Sequence, residues 1–320
     1  MEETRTTGEA THDRERGVRP GPLTRDESAT PPSPCDDERT PVHPDATITL
    51  NNGTTMPRLG FGVSESRDAR AAVTEALARG YRSIDTAAVY GNETAVGAAL
   101  AGSGLSRSEL FVTGKVWNVG RDRADAIRSA HESLDRLGLD HVDLLLVHWP
   151  NDELEPCLRT WDAMEELLAD GAARAIGVSN FRPSHLRRLR GLGGTTPAVN
   201  QVELHPHHQQ RDLHAVHAAL GIVTGAWSPL GRGAVLGGPA LRAIAGRHGV
   251  TPARVVLRWH LQRGTVAVPK SDTPERIAEN RDLAGFALTG DEMDAIAALD
   301  VPGGTGRIGP RPGRVDRLAA

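Results

Sequence analysis

The chain has 320 residues, 37 Lys+Arg against 41 Asp+Glu, and a formal net charge of −4 at pH 7. That length suits one large α/β barrel, and the charge balance lacks the basic excess of a nucleic-acid binder. No stretch approaches the roughly 18 apolar residues of a membrane span, and two cysteines cannot build a disulfide framework.

Residues 1–46 hold 11 acids, 6 arginines, 7 prolines and no aromatic ring. Such a stretch cannot bury enough apolar surface to offset its ordering entropy. It is expected to be a disordered, acidic, Pro-rich extension. Its opening, MEETRTTGEATHDRER, has no apolar run of the kind found in a secretory signal. With only Cys35 and Cys157 in the chain, the reduced cytoplasm is the expected compartment.

The body, residues 47–320, reads as a single domain. Asn52-Gly53 between two short β-prone runs predicts a hairpin. Eight strands are then expected: RLGFGV (58–63), YRSIDTA (81–87), LFVTGKV (110–116), VDLLLVHW (142–149), AARAIGVSN (172–180), PAVNQVEL (197–204), IVTGAWS (222–228) and TVAVPKS (265–271). VDLLLVHW is almost continuously apolar, as in a parallel strand buried on both faces. Helices fill the gaps. Ile127, Ala130, Leu134 and Leu137 recur at helical spacing, and Gly138 follows as a stop. Thr251-Pro252 and Thr273-Pro274 each place an N-cap before a proline. TGDEMDAIAAL (289–299) predicts a last helix packed outside. Eight βα units in about 250 residues predict a (β/α)8 TIM barrel, with the opening hairpin plugging its N-terminal end.

In such a barrel the reactive groups stand at the C-terminal ends of the strands. The second strand ends in Asp85, with Tyr90 in the loop beyond; the third ends in Lys115 and the fourth in His148. Tyr90 and Lys115 also belong to the rarest types. Of the 37 cations only Lys115 and Lys270 are lysines, and there are two tyrosines. Lysine changes its proton where a guanidinium does not. A phenol is a weak acid, which a neighbouring ammonium makes stronger. An aspartate would hold that ammonium charged, and a histidine could orient a carbonyl. The set reads as a device that protonates a carbonyl oxygen while another group delivers hydride.

IDTAAVYGNE, TGKVWN, LLLVHWPN, IGVSNF, VNQVELHP, AWSPLGRG and VPKSDTPERIAEN resemble the aldo-keto reductases, most of all the bacterial branch that contains 2,5-diketo-D-gluconic acid reductases. The resemblance runs over roughly residues 47–310. It implies reduction of aldehydes and ketones by NADPH, with Tyr90 as general acid, Lys115 lowering its pKa, Asp85 paired with Lys115, and His148 orienting the carbonyl. It implies that Ser179, Asn180 and Gln201 hold the nicotinamide carboxamide and that Trp227 stacks on the ring. Ser228, Leu230 and Gly231 match the loop over the pyrophosphate. Gly62 and Val63, at the end of the first strand, join the cofactor set. Lys270, Ser271 and Arg276 would form a pocket for the 2′-phosphate of NADPH, at the strand end and helix start where barrels hold phosphate. Glu279 and Asn280 would lie near the adenine. Relatives in this branch imply a monomer.

The sequence departs from the family at Gly114, where threonine is frequent, and in a short C-terminal segment with no aromatic ring. The latter implies an open pocket walled by Val89, Trp117 and Trp149, suited to small or polar carbonyl compounds. Gly304-Thr305-Gly306-Arg307-Ile308-Gly309 matches G-x-G-x-x-G but follows no strand and opens no helix, so it fails as a dinucleotide fingerprint. His205, His207, His208, His214 and His217 lack the supporting acids and cysteines of a metal site, and none is expected. A barrel lyase or isomerase for phosphorylated metabolites, and a non-catalytic NADPH-binding relative, are the alternative readings.

Overall fold

The computed structural model describes residues 43–117, 122–150 and 154–312. All but the last four residues of the expected N-terminal extension lie outside them. The described chain opens with an antiparallel pair, β1 (Thr47–Thr49) and β2 (Thr55–Pro57). Gly53 turns the corner at φ +86°, a conformation in which a side chain is strained. Thr54 N donates to Asn52 Oδ1 at 3.1 Å.

Eight parallel strands follow: β3 (Phe61–Gly62), β4 (Ser83–Asp85), β5 (Phe111–Val116), β6 (Leu144–Val147), β7 (Ile176–Ser179), β8 (Val199–Glu203), β9 (Val223–Trp227) and β10 (Val266–Val268). They pair in chain order. Gly60 N donates to Ala267 O and Ala267 N to Arg58 O, both at 2.9 Å, which joins the last strand to the first. Helices alternate with the strands: α1 (Ala69–Ala78), α2 (Glu93–Ala101), α3 (Arg123–Leu137), α4 (Leu154–Ala169), α5 (Pro183–Gly191), α6 (Arg211–Leu220), α7 (Pro239–His248), α8 (Pro252–Gln262) and α9 (Pro274–Arg281). A final helix, α10 (Gly290–Ala297), is capped reciprocally by Thr289 and Glu292.

The eight expected strands are present, each shorter than its apolar run. β6 covers four residues of VDLLLVHW because Val142 makes only an isolated bridge, to Ala173. Hydrophobicity reports burial, and burial continues past the last ladder bond. The stripe on α3 faces inward at Ala130, Leu134 and Leu137, and Gly138 ends the helix at φ +66°. The Thr251 hydroxyl caps α8 by accepting from Arg254 N. Thr273 does not cap α9 with its side chain. Instead its own N–H donates to Ser271 Oγ at 3.0 Å, so the serine orders the turn that the threonine was expected to order.

Two apolar layers result. The outer one packs α-helices on the outward faces of the strands. The inner one gathers Leu50 and Met56 of the hairpin with Phe111, Leu144, Ala175, Ala198 and Val266. Each of these stands at or just before the start of its strand, so the hairpin closes the N-terminal end. Chemistry is left to the other end.

Candidate active site

The parallel ladder places the ends of β4, β5 and β6 side by side. Lys115 is 2% exposed. Its ammonium donates to Asp85 Oδ1 and, at 3.0 Å, to Thr86 O. The other Asp85 oxygen accepts from Gln201 Nε2 at 2.7 Å. Tyr90 lies in a single helical turn, Ala88–Tyr90, beyond β4. The Lys115 ammonium lies 5.3 Å from the centre of its ring. His148 meets the Tyr90 ring edge to face at 5.6 Å between centroids, and the Trp117 ring at 5.3 Å. The four residues singled out from the strand ends thus stand in one cluster.

Charge in this cluster is fixed by burial. Burial pulls the Lys115 ammonium down, but Asp85 and Tyr90 push it up, and the balance lies above an ordinary lysine. Burial pushes the Tyr90 phenol up. Lys115 pulls it down and Asp85 pushes it up again, and the result lies above an ordinary tyrosine. Lys115 thus pulls in the expected direction, but desolvation outweighs it and Asp85 offsets part of its field. Tyr90 therefore holds its proton. Burial, then Lys115, keep the His148 imidazole well below its usual range, so the ring is neutral.

Next to this cluster lies a second one. Ser179 Oγ donates to Gln201 O at 2.8 Å, and Asn180 Nδ2 donates to His148 O at 3.1 Å. Trp227 Nε1 donates to Asn180 Oδ1 at 2.9 Å, and its ring lies 6.2 Å from that of Trp149. Trp117, Trp149 and Trp227 form one small apolar group. Val89, which precedes Tyr90 in sequence, is exposed. Gly62 and Val63 are buried at the end of β3, where Val63 O accepts from Asn92 Nδ2.

The third group surrounds the end of β10. Lys270 donates to Asp272 Oδ2 at 2.7 Å and to Glu65 O at 3.0 Å. Ser271 and Asn280 are buried, whereas Arg276, on the first turn of α9, is exposed and makes no ion pair among the described residues. Glu279 accepts from the Thr251 hydroxyl, so it also ties α9 to α8. Ser228, Leu230 and Gly231 precede a turn in which Arg232 reaches Glu65 at 3.2 Å.

The residues fit a nicotinamide dinucleotide on two structural grounds. His148 Nδ1 and Trp117 Nε1 are buried without a partner among the described residues. Glu65, Asn180, Ser228 and Arg232 hold positive φ, from +48° to +66°. Positive φ at residues other than glycine is costly and recurs at ligand clamps.

Two features were not legible. Glu203, at the end of β8, is fully buried and accepts from Ile308 N at 2.6 Å and Gly309 N at 2.9 Å. These two partners are main-chain groups more than a hundred positions away, and no spacing rule reports them. The short C-terminal segment therefore reaches the ends of β8 and β9. Among the described residues no group of three metal-ligating side chains occurs. His205 instead bonds Glu203, and His217 bonds Asn200 and Thr224.

The sequence pattern of the aldo/keto reductase family matches residues 49–301. The chain belongs to the aldo/keto reductase family. It is 46% identical to morphine 6-dehydrogenase of Pseudomonas putida over 286 residues, 84% of this chain and 95% of that protein. It is 45% identical to methylglyoxal reductase of Escherichia coli K12, over 83% of this chain and 96% of that one. A crystal structure of a Gox0644 mutant in complex with NADPH superposes with a TM-score of 0.79 at 42% identity, covering 84% of this chain and 98% of that one. This aldo/keto reductase is thus an oxidoreductase built on the parallel barrel described above. No helix among its described residues is long and apolar enough to cross a membrane.

Proposed function

We propose that this aldo/keto reductase transfers hydride from NADPH to an aldehyde or ketone and that Tyr90 supplies the proton to the carbonyl oxygen. The observation that carries the reading is the half-buried Tyr90 beside the buried Lys115–Asp85 ion pair and a neutral His148. NADPH supplies the hydride. Lys115, kept as an ammonium by Asp85, stabilises the phenolate that Tyr90 becomes on giving up its proton. His148 remains neutral and orients the carbonyl oxygen toward the phenol. Gln201, Ser179 and Asn180 meet the nicotinamide carboxamide, and the Trp227 ring supports its face. Lys270, Ser271 and Arg276 meet the 2′-phosphate, with Asn280 and Glu279 toward the adenine. Ser228, Leu230, Gly231, Gly62 and Val63 border the pyrophosphate and the ring by their main chain.

The substrate is a small-molecule carbonyl compound contacted by Val89, Trp117 and Trp149. Two relatives of nearly equal identity are named for different compounds, morphine and methylglyoxal. Broad tolerance is the reading that accommodates both. A monomer in the cytoplasm accords with it.

Tyr90→Phe tests the assignment. The variant is expected to lose reduction of a nitrobenzaldehyde by about a hundredfold or more, the usual weight of a general acid. Its NADPH affinity, read by quenching of tryptophan fluorescence, is expected to stay at the wild-type value. Full activity in the variant rejects Tyr90 as the acid. NADPH binding by wild type without turnover of any carbonyl in a panel favours a binding protein.

A further inference from the structure

The Trp227 indole is restrained at two opposite points. Its pyrrole N–H donates to Asn180 Oδ1 at 2.9 Å. Its benzo edge abuts Gly309, so closely that a Cβ at 309 would lie 2.4 Å from Cη2 and 3.0 Å from Cζ3. Gly309 is held there by Glu203, the residue paired with Trp227 across the β8–β9 ladder. The carboxylate accepts from Ile308 N at 2.6 Å, Gly309 N at 2.9 Å and His205 Nε2 at 3.1 Å, with Arg307 Nη1 at 3.3 Å. Burial raises its pKa, but these donors and the Arg307 charge outweigh burial and hold it below an ordinary glutamate. The start of the segment is tied to the same loop: Val301 N donates to His207 O, and Gln209 N to Asp300 Oδ1.

We infer that Glu203 is a positioning residue for the cofactor: by seating the Arg307–Gly309 main chain on the indole edge, it sets the plane against which the nicotinamide rests. Glu203 touches neither the nicotinamide nor the carbonyl. It acts through Gly309, and Gly309 acts through van der Waals contact with Trp227. The absence of a side chain at 309 is part of the device, because any Cβ would push the ring or lift the segment. Gly306 obeys the same constraint further back, where a Cβ would fall 1.9 Å from His207 O. Gly306 and Gly309 of the false dinucleotide fingerprint thus have a reason of their own. The inference rests on the proposed role of Trp227 as the surface under the nicotinamide.

The test compares wild type with Glu203→Gln, Gly309→Ala and the double variant. A glutamine places an N–H₂ where one backbone N–H must be accepted, so it unseats the segment from the strand side. Alanine at 309 unseats it from the ring side and leaves the carboxylate intact. Each single variant is expected to weaken NADPH about tenfold, the size of one lost hydrogen bond to a charged group. Each should also alter the near-UV circular dichroism of the cofactor-free protein, since the indole moves before any cofactor binds. The double variant should be no worse than the weaker single one, because both break one contact chain. Gly309→Ala also keeps the test open if Glu203→Gln fails to fold. Wild-type affinity and an unchanged tryptophan spectrum in Gly309→Ala would overturn the inference. So would losses that multiply in the double variant. If wild type itself fails to bind NADPH, the cofactor reading falls and takes this inference with it.

Discussion

At the expected phosphate subsite, two cations of the same sign stand in different circumstances. Lys270 already neutralises Asp272, whose other oxygen accepts from Ser66 Oγ at 2.5 Å and Arg67 N at 3.3 Å. Arg276 has no acidic partner among the described residues and points its charge from an exposed first turn. A dianion arriving there finds in Arg276 a cation that need not leave a carboxylate first, and a guanidinium suits phosphate geometry. Arg276→Ala is therefore expected to weaken NADPH by about 1–3 kcal/mol and to leave NADH unchanged, as read by fluorescence titration of both. An equal loss for the two cofactors would remove Arg276 from the 2′-phosphate. The residue scale was the most readable one for Asp85, Tyr90, Lys115 and His148. A rare residue type at a strand end is a local signal, and the barrel converts strand ends into one mouth. Glu203 shows the converse, since the backbone amides of Ile308 and Gly309 that it holds leave no mark on the sequence near it.

Among the elements, β5 and β7 carry one glycine each in their interior, and the two glycines differ in what surrounds them. At Gly177 an added Cβ would lie 2.6 Å from Val199 O and 2.8 Å from Leu146 Cδ2. The strands there approach too closely for any side chain. At Gly114 the nearest atoms would be Leu145 Cδ1 at 3.5 Å and Val142 Cγ1 at 3.6 Å, ordinary contact distances. A small apolar cavity lined by Ala130, Leu134, Leu137 and Val142 adjoins it, between β5 and α3. Gly114→Ala is expected to stabilise the fold by about 0.4–1 kcal/mol, chiefly by restricting the unfolded chain. Gly177→Ala is expected to destabilise it by about 1–3 kcal/mol through overpacking. Urea midpoints of the two variants decide, and a loss of stability in Gly114→Ala would show that the cavity cannot take a methyl group. The presence and order of the elements were legible because hydrophobic runs and caps are local. Their ends were not: Val142 and Trp149 are as buried as the paired residues between them. The side chain that orders the start of α9 was likewise illegible, because Ser271 and Thr273 both carry the hydroxyl that could do it.

For the whole molecule, acid sensitivity follows from imidazoles buried without charge. Burial lowers His208 and His214 to about 4 and His217 and His260 to about 3, against an ordinary value of 6.5. At pH 7 the folded chain leaves them neutral and the unfolded chain protonates only a minor fraction of each. As pH falls below 6.5 the unfolded chain takes up these protons and the folded chain does not, so stability drops. The loss continues until about pH 3–4, at no more than about 1.4 kcal/mol per pH unit for each ring. Below about 4.5 the depressed carboxylates of Glu203 and Glu292 add to it in the same direction. Thermal midpoints are expected to decline steadily from pH 6.5 downward, and a flat profile to pH 5 would contradict the assignment of these rings as neutral. A different consequence follows from the tether at the end of β8. Its principal donors, Ile308 N and Gly309 N, belong to the peptide bond, so residue 308 can be exchanged for almost any other without loosening the knot. That position, 43% exposed at the rim, is a free letter next to an immobile word. Variation there can diversify what the enzyme accepts while the proton-transfer floor below stays as it is.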